Sequence, residues 1–289
     1  MMPDFMLPLT QSVEFERTCD ALGLPVRRFE TPNATCLVQS RRFPVLGAFH
    51  LISRGPVATG PCAASSLLND VRRELSGPLV VNASFEAEKP AGMQIAKCAE
   101  LALIDLKDSD TMRARLHQKW RNQLKKAERA PLTIVDQSLD AQRHQWFFNA
   151  EAAQQKSRKY RSYPAHFLLA YGRANKGQAR LYTALENGDP VAAMLVLKHG
   201  RMATYQAGVT TDAGRRHCAH NLLLWTIKCD LGRRGVAQVD LGRADLNAGL
   251  RRFKLGSGAK LTPLGGTHLV HSWFARRRNA QQLPVSTGV

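Results

Sequence analysis

Residues 179–209 have the sequence ARLYTALENGDPVAAMLVLKHGRMATYQAGV, in which two turn sequences separate three apolar stretches. The first connection is residues 187–190 (NGDP), and the second is His199-Gly200. These residue types favour tight turns, since glycine accepts a positive φ and proline restricts the chain. Residues 179–186, 191–198 and 201–209 are therefore predicted to form three neighbouring antiparallel strands.

The segment after this meander continues with helix and strand signals. Residues 221–231 are apolar on nearly every face, which is typical of a helix buried against a sheet. Residues 236–241 then predict a strand, residues 246–255 a short basic helix, and residues 260–263 the start of a last strand. Three strands, a buried helix, a strand and a short helix indicate an α/β domain.

A basic amphipathic helix is predicted upstream of the meander. Met112, Leu116, Trp120 and Leu124 recur every four residues until Pro131 ends the pattern, and Lys and Arg cover the other faces. The remaining signals predict strands at residues 36–39, 48–52, 78–82 and 100–106, and helices at residues 65–75, 139–156 and 164–174.

The net charge of the chain is strongly positive and unevenly distributed. The 289 residues include 41 Lys and Arg against 23 Asp and Glu, a formal net charge of +18. Residues 111–161 contain 12 basic and 4 acidic residues, residues 201–289 contain 14 and 4, and residues 1–110 contain 11 and 13. This distribution favours polyanionic partners, which include RNA, a nucleotide-bearing cofactor and an anionic membrane surface.

Several classes of protein are excluded by missing motifs. The six cysteines form no CxxC pair, and His217 and His220 have no third ligand at a suitable spacing, so no metal is expected. The sequence shows no signal-peptide pattern and no transmembrane segment, which predicts a reduced, cytoplasmic protein. It also contains no Gly-x-Ser-x-Gly, phosphate-loop or His-Glu-x-x-His motif.

Four segments, taken in chain order, resemble a known family of acyltransferases. Residues 105–127 are similar to a strand and basic helix, residues 181–193 to a central hairpin, residues 205–208 to the next strand, and residues 240–258 to a closing strand and helix. The family is the FemAB-like branch of the GNAT acyltransferases, and the resemblance covers about residues 100–265.

The resemblance implies an α/β (α+β) fold of tandem GNAT-like modules with mixed central sheets flanked by helices. We expect an N-terminal degenerate module at residues 1–135, ending in the basic helix, a C-terminal catalytic module at residues 136–275 and a polar tail at residues 276–289. The implied reaction moves an acyl or aminoacyl group from acyl-CoA, an acyl carrier protein or aminoacyl-tRNA to an amine. The acceptor is expected to be a small molecule or a cell-wall or lipid precursor.

Two other functions stay open at this point. The first is a non-catalytic RNA-binding protein that retains a GNAT-like fold. The second is a peripheral membrane protein whose basic face binds anionic lipid. This function is less favoured, because no amphipathic helix with exposed large apolar residues is predicted.

Lys254 is the first candidate for the chemistry, since the resemblance implies a position near the reactive acyl end of the donor. Tyr205 is a candidate hydroxyl near the tetrahedral centre, and Asp240 is the candidate base. Each has a structural alternative: a solvated surface lysine, a core tyrosine and an ion-pair partner of Arg243.

The donor is expected at the start of the buried helix, where GNAT enzymes hold the CoA pyrophosphate on backbone N–H groups. Arg215 and Arg216 are the predicted phosphate ligands, and Ala219, Asn221 and Phe253 complete the predicted donor site. The loop contains no glycine at the positions where the acetyl-CoA form needs close backbone approach. Acetyl-CoA therefore does not follow as the donor.

The acceptor is predicted to bind to basic and aromatic residues. The candidates are Lys119, Arg121, Arg158, Tyr163 and Arg243. They would hold an anionic acceptor or the donor RNA, with Tyr163 available for stacking. The alternative for the helix charges is a solvated face without a ligand.

Overall fold

The computed structural model describes residues 5–45, 47–84, 90 and 92–270. Within these residues, none of the helices is long and apolar enough to cross a bilayer. The helices are α1 (Val13–Ala21), α2 (Pro61–Glu74), α3 (Ser109–Ala114), α4 (Gln118–Glu128), α5 (Gln145–Arg158), α6 (Ala165–Ala174), α7 (Asp212–Arg216), α8 (Ala219–Arg233) and α9 (Ala248–Gly256). The strands are β1 (Val26–Thr31), β2 (Ala34–Phe43), β3 (Gly47–Ser53), β4 (Val57–Ala58), β5 (Leu79–Asn82), β6 (Met93–Ala96), β7 (Glu100–Asp105), β8 (Leu132–Ser138), β9 (Ala179–Glu186), β10 (Asp189–His199), β11 (Met202–Thr210), β12 (Gln238–Arg243), β13 (Lys260–Pro263) and β14 (Thr267–Val270).

The chain divides into two compact units. Unit 1 contains Phe5 and the described residues among 23–99 and 263–270, and unit 2 contains residues 6–22 and 100–262. This division does not coincide with the predicted boundary between residues 135 and 136. The reason is that β7 pairs with β12 and α4 packs on α8, which joins residues from 100 onward to unit 2.

Unit 1 is built on a mixed sheet with the strand order β1-β2-β3-β5-β14-β6, and β4 pairs with β2. β3 and β5 are parallel, whereas the other pairs are antiparallel. Helix α2 buries Leu67, Leu68 and Val71 in the core of this unit. The strands and helix predicted before residue 83 correspond to β2, β3, β5 and α2, but β2 is longer than predicted and extends to Phe43.

Unit 2 is built on a second mixed sheet, in the order β13-β7-β12-β11-β10-β9-β8. The predicted meander is confirmed, because β10 pairs antiparallel with both β9 and β11. β12 lies parallel to β11, since α8 connects the two strands and returns the chain to the same end of the sheet. Leu223, Leu224 and Ile227 of α8 lie in the core of this unit, as the apolar sequence predicted.

The predicted single helix from residue 112 onward is wrong in one respect, because it is divided into α3 and α4. The backbone N–H of His117 bonds to the Gly256 oxygen of α9 at 3.1 Å instead of continuing α3. Trp120 packs so closely on Gly256 that a Cβ there would meet the indole at 2.8 Å. A tertiary contact with α9 therefore interrupts a pattern that looks continuous in the sequence.

The structure also contains a strand that the sequence pattern did not predict. β8 pairs antiparallel with β9 at the edge of the sheet, and the ion pair between Asp136 and Arg180, at 2.7 Å, links the two strands. The helix predicted from residue 139 starts later, at Gln145. The first four residues of β8, 132–135, are apolar or β-branched and favour a strand, so a local signal for β8 is present in the sequence.

Candidate active site

The sheet of unit 2 opens between its two parallel strands. β11 and β12 are paired from Met202–Gln238 to Thr204–Asp240, yet β11 continues to Thr210 and β12 to Arg243. The facing backbone groups beyond that ladder need other partners. In open α/β sheets, ligands bind in crevices at the carboxyl ends of parallel strands. We call residues 205–210 and 241–243 the strand opening.

A β-bulge lies where the strand opening begins. Leu195 of β10 pairs with Ala207, and Val196 pairs with Tyr205, so Gln206 is an extra residue in β11. The extra residue of a bulge stays outside the ladder and bends its strand. The bulge therefore leaves the main-chain groups of Gln206 outside the ladder with β10, in the segment of β11 that borders the opening.

Lys254 lies on α9 beside the β12 wall of the strand opening. Its side chain is buried, with 4% exposed, and its Nζ donates a hydrogen bond to the main-chain oxygen of Arg243 at 2.7 Å. Burial lowers the pKa of Lys254 from 10.5 to about 8, while the carboxylates of Asp240 and Asp245 oppose this change. The interpretation of Lys254 as a solvated surface lysine is therefore wrong.

Asp240 is the last β12 residue in the ladder with β11 and is buried. Its Oδ1 accepts a hydrogen bond from the backbone N–H of Gly242 at 2.6 Å, and Gly242 has a φ of +75°, which favours glycine. Arg243 forms a two-point ion pair with Asp245, at 3.1 and 2.6 Å. Asp240 thus stabilises the turn that presents the Arg243 oxygen to Lys254.

A buried carboxylate lies against the β11 wall. Glu151 of α5 is 5% exposed, and its Oε1 accepts a hydrogen bond from the Tyr160 hydroxyl at 2.8 Å. Gln154 Nε2 lies 2.9 Å from the same hydroxyl and donates to the main-chain oxygen of Gly208 at 3.0 Å. Burial raises the pKa of Glu151. Gly208 belongs to the strand opening, so Gln154 connects the Glu151 cluster to it.

Tyr205 belongs to the same cluster. Its hydroxyl lies so close to Gly208 that a Cβ at that position would meet it at 2.1 Å. Burial raises the pKa of Tyr205, the charge of Glu151 raises it further, and Arg158 opposes both effects. Two predicted residues, Tyr205 and the exposed Arg158, therefore lie near Glu151, for which the sequence pattern predicts no role. Its one visible signal is that it is the single acidic residue in α5.

The other predicted acceptor ligands have different surroundings. Lys119 is exposed on α4. Arg121 instead donates to the main-chain oxygens of Ala114 and Leu116, at 3.3 and 3.1 Å, at the end of α3. Tyr163 stacks on Phe167 with ring centroids 4.5 Å apart. Arg121 and Tyr163 thus make contacts within the protein. The Tyr163 ring, which is predicted to stack on a ligand, stacks on the Phe167 ring instead.

The predicted donor loop lies at the end of β11. The side chain of Arg215 pairs with Asp212 at 2.7 Å, and Arg216 is exposed. Cys218 has a φ of +54° immediately before α8. Ala219 and Asn221 are buried in the first turn of α8, and the Asn221 Nδ2 has no hydrogen-bond partner. The start of α8 therefore combines exposed cations with an unpaired buried amide.

Phe253 and His220 connect α9 with the first turn of α8, since their rings lie 6.4 Å apart. His220 Nε2 lies 2.9 Å from the main-chain oxygen of Val209, in the strand opening. Burial lowers the pKa of His220, which favours the neutral ring. No group of three or more possible metal ligands occurs in the described part of the chain.

Lys228 is a second buried lysine, for which the sequence pattern predicts no role. It is 1% exposed in the middle of α8, and its Nζ donates to the Ser257 oxygen at 2.9 Å. The ammonium also lies 5.1 Å from the ring centroid of Trp225. Burial lowers the pKa of Lys228 from 10.5 to about 8. Lys228 therefore resembles Lys254 chemically, but its contacts are with α8 and the end of α9 rather than with the strand opening.

We expect Lys228→Met to change the pH dependence of stability. Below about pH 8 the lysine is protonated in both states, so the cost of burying the ammonium is present in full. Between about 8 and 10.5 the unfolded chain binds more protons, so the free energy of unfolding rises with pH. The methionine removes this contribution and should stabilise the protein most at neutral pH. Urea unfolding at neutral and alkaline pH checks this, with exposed Lys125→Met as the control; an unchanged pH dependence in Lys228→Met would contradict the prediction.

Comparison with known proteins agrees with this architecture. The model of the acetyltransferase (GNAT) domain family matches residues 114–255. The crystal structure of FemX superposes with a TM-score of 0.75 at 12% identity, covering 95% of each chain. No curated protein matches the chain significantly in sequence.

Two further solved structures share the fold. The C-terminal domain of a putative lysylphosphatidylglycerol synthetase from Agrobacterium fabrum has a TM-score of 0.58 at 15% identity, covering 96% of this chain and 94% of that one. L-PGS from Bacillus licheniformis has a TM-score of 0.52 at 12% identity, covering 93% and 95%. The family match includes the strand opening, α8 and Lys254. The chain therefore contains a GNAT acetyltransferase domain at residues 114–255 and shares its fold with FemX.

Proposed function

We propose that this enzyme transfers an acyl or aminoacyl group to an amine at the strand opening of unit 2. The observation that supports this most strongly is the interrupted pairing of β11 and β12, with a buried lysine at one wall and a buried glutamate cluster at the other. The alternative of a non-catalytic RNA-binding protein gains no support from the comparisons, since the family match covers this region.

Acyl transfer to an amine needs stabilisation of the tetrahedral oxyanion and a proton for the leaving group. Lys254 can serve either purpose, because a lysine with a pKa of about 8 is mostly protonated at neutral pH and can still release its proton. The bulge at Gln206 supplies main-chain groups outside the ladder, which can act as further donors to the oxyanion. We therefore assign the reacting carbonyl to the space between these two groups.

The attacking amine must also lose a proton. Glu151 suits this role better than Asp240, because burial raises its pKa and its Tyr160 contact holds it in place. Asp240 instead accepts the Gly242 N–H and acts on Lys254 through its charge. We propose Glu151 as the proton acceptor, Tyr205 as a neighbouring hydroxyl, and Asp240 as the residue that positions the β12 turn.

The donor is proposed to approach the first turn of α8. A helix N-terminus attracts phosphate through its free N–H groups, and Arg215, Arg216 and the unpaired Asn221 amide lie at this end of the helix. The donors that fit are acyl-CoA, an acyl carrier protein and aminoacyl-tRNA, all of which carry phosphates. Mass spectrometry of the freshly purified native protein distinguishes them by mass.

We expect the double substitution Arg215→Ala/Arg216→Ala to raise the KM for a phosphate-bearing donor about 30-fold, with little change in kcat, because each of the two charged contacts contributes on the order of 1 kcal/mol. The KM for an acyl-pantetheine, which lacks the nucleotide, should stay the same. Arg233→Ala is the matched control, since this exposed arginine lies at the other end of α8. Equal KM increases for both donors would contradict phosphate binding at these residues.

For the acceptor we propose an amine on a cell-wall or lipid precursor. One structural neighbour has a name that refers to lysylphosphatidylglycerol, an aminoacylated lipid, which supports a lipid or cell-wall precursor as the class of acceptor. Exposed Arg158 lies close enough to Glu151 and Tyr205 to affect their pKa values, so it is suited to hold an anionic group of the acceptor beside them. Incubation of the enzyme with labelled donors and with lipid and cell-wall precursor amines tests the proposal. Absence of transfer from all three donor classes would contradict it.

A further inference from the structure

The hairpin formed by β2 and β3 in unit 1 extends beyond the core. Residues 34–38 of β2 are buried, whereas Arg41, Arg42 and Phe43 are all exposed. Consecutive side chains of a strand point to opposite faces. Exposure at three consecutive positions therefore means that both faces of this part of the hairpin lie outside the core of unit 1.

The tip of this hairpin presents apolar side chains. Val45 is 94% exposed, Phe43 is 43% exposed and Phe49 is 37% exposed. The register places Arg41 opposite Phe49 and Phe43 opposite Gly47, so the two phenylalanines are diagonal neighbours on one face. Gly47 has no side chain to cover the ring of Phe43. Large apolar side chains are thus concentrated at a protruding turn.

Positive charge adjoins this apolar tip. Residues 31–69 include Arg41, Arg42 and Arg54 but no Asp or Glu, although residues 1–110 as a whole are close to neutral. Exposed aromatic and aliphatic groups beside arginines are typical of segments that lie in a membrane interface, where the apolar groups enter the acyl boundary and the cations contact anionic headgroups.

We propose that this tip, residues 41–45 and 47–49, binds unit 1 to an anionic lipid surface. Phe43 and Val45 would enter the interface, and Arg41 and Arg42 would bind lipid phosphates. A second copy of the tip is a poor partner, because it would bring four arginines together, whereas an anionic bilayer complements them. The inference concerns unit 1 and does not depend on the acyl transfer proposed for unit 2.

Co-sedimentation with vesicles tests the proposal, using pure phosphatidylcholine and phosphatidylcholine mixed with phosphatidylglycerol. We expect the wild-type chain to bind the anionic vesicles, and Phe43→Ser/Val45→Ser to bind at least about tenfold more weakly. Arg41→Ala/Arg42→Ala should weaken binding to the anionic vesicles and reduce its salt dependence.

The control is Met93→Ser/Ile95→Ser, which removes two exposed apolar residues from strand β6 of the same sheet. This variant should bind the vesicles like the wild type. All the substituted side chains are exposed, so thermal unfolding should be unchanged and lost binding would not reflect lost structure.

Wild-type binding by Phe43→Ser/Val45→Ser would overturn the proposal, and so would an equal loss in the β6 control. Sedimentation velocity without lipid gives another decisive result. A wild-type dimer that Phe43→Ser/Val45→Ser converts to a monomer would assign the tip to self-association instead.

Discussion

Replacement of Lys254 by methionine is expected to lower kcat at least about 100-fold, which is the loss that follows removal of one donor to a tetrahedral oxyanion. Methionine keeps the length of the buried stem and removes the ammonium that contacts the Arg243 oxygen. Alanine is a less informative choice, because Lys254 is only 4% exposed and a truncated side chain would leave a cavity. Steady-state kinetics with saturating donor and acceptor measures the effect.

Lys228→Met is the matched control for this experiment. Lys228 is also buried, also has a pKa lowered to about 8, and also donates to a main-chain oxygen. It makes those contacts away from the strand opening, so kcat should stay within about twofold of the wild type. Equal losses of kcat in the two variants would show that the effect is not specific to Lys254 and would contradict its assignment to the reacting carbonyl.

The pH dependence gives an independent readout of the Lys254 charge. Since its pKa is lowered to about 8, kcat of the wild type should fall as the pH rises through about 8 and the ammonium loses its proton. Lys254→Arg keeps the charge over this range, so any activity it retains should not show this decrease. A decrease that persists in Lys254→Arg would assign it to another group.

Glu151→Gln is expected to lower kcat by at least about 100-fold, because general base catalysis contributes on the order of 100- to 10,000-fold. The substitution keeps the size of the side chain and the contact with Tyr160. Burial raises the pKa of Glu151, so activity limited by this group should rise with pH above its ordinary value of 4.5. The pH–rate profile of the variant should lack this acidic limb.

Glu128→Gln is the control for Glu151. Glu128 is a partly exposed acid at the end of α4 and forms an ion pair with Arg113 of α3. Its kcat should equal that of the wild type. Asp240→Asn distinguishes the two carboxylates. The Asp240 charge raises the pKa of Lys254, so we expect the variant to move the basic limb of the pH–rate profile to lower pH. Its kcat should fall moderately, because Asp240 stabilises the turn that contacts Lys254. Loss of the acidic limb in Asp240→Asn, but not in Glu151→Gln, would transfer the role of base to Asp240.

Part of the fold was predictable because its signals are local. The turn residues at 187–190 and at His199-Gly200 predict the meander without knowledge of any distant contact. The apolar surface of α8 likewise predicts burial. The division between α3 and α4 was not predictable, since it depends on the bond from His117 to Gly256, more than a hundred residues along the chain.

The candidate site was predictable only in part. The resemblance predicted catalytic roles for Lys254, Tyr205 and Asp240, and donor binding for the loop before α8. Glu151 was missed because a single acid in a polar helix looks solvated until its helix is packed against β11. The same reasoning failed for Arg121, whose exposed appearance in the helix pattern conceals its bonds to the end of α3.

The sequence by itself determined the order of strands and helices in unit 2, the uneven charge, and the resemblance to the GNAT acyltransferases. The order of these elements follows from turn chemistry and hydrophobic periodicity, which act over a few residues. Only the tertiary structure decided where β11 and β12 separate, which lysines and carboxylates are buried, and which hairpin protrudes. Those features depend on contacts between distant segments, and burial shifts a pKa only after such contacts have excluded water.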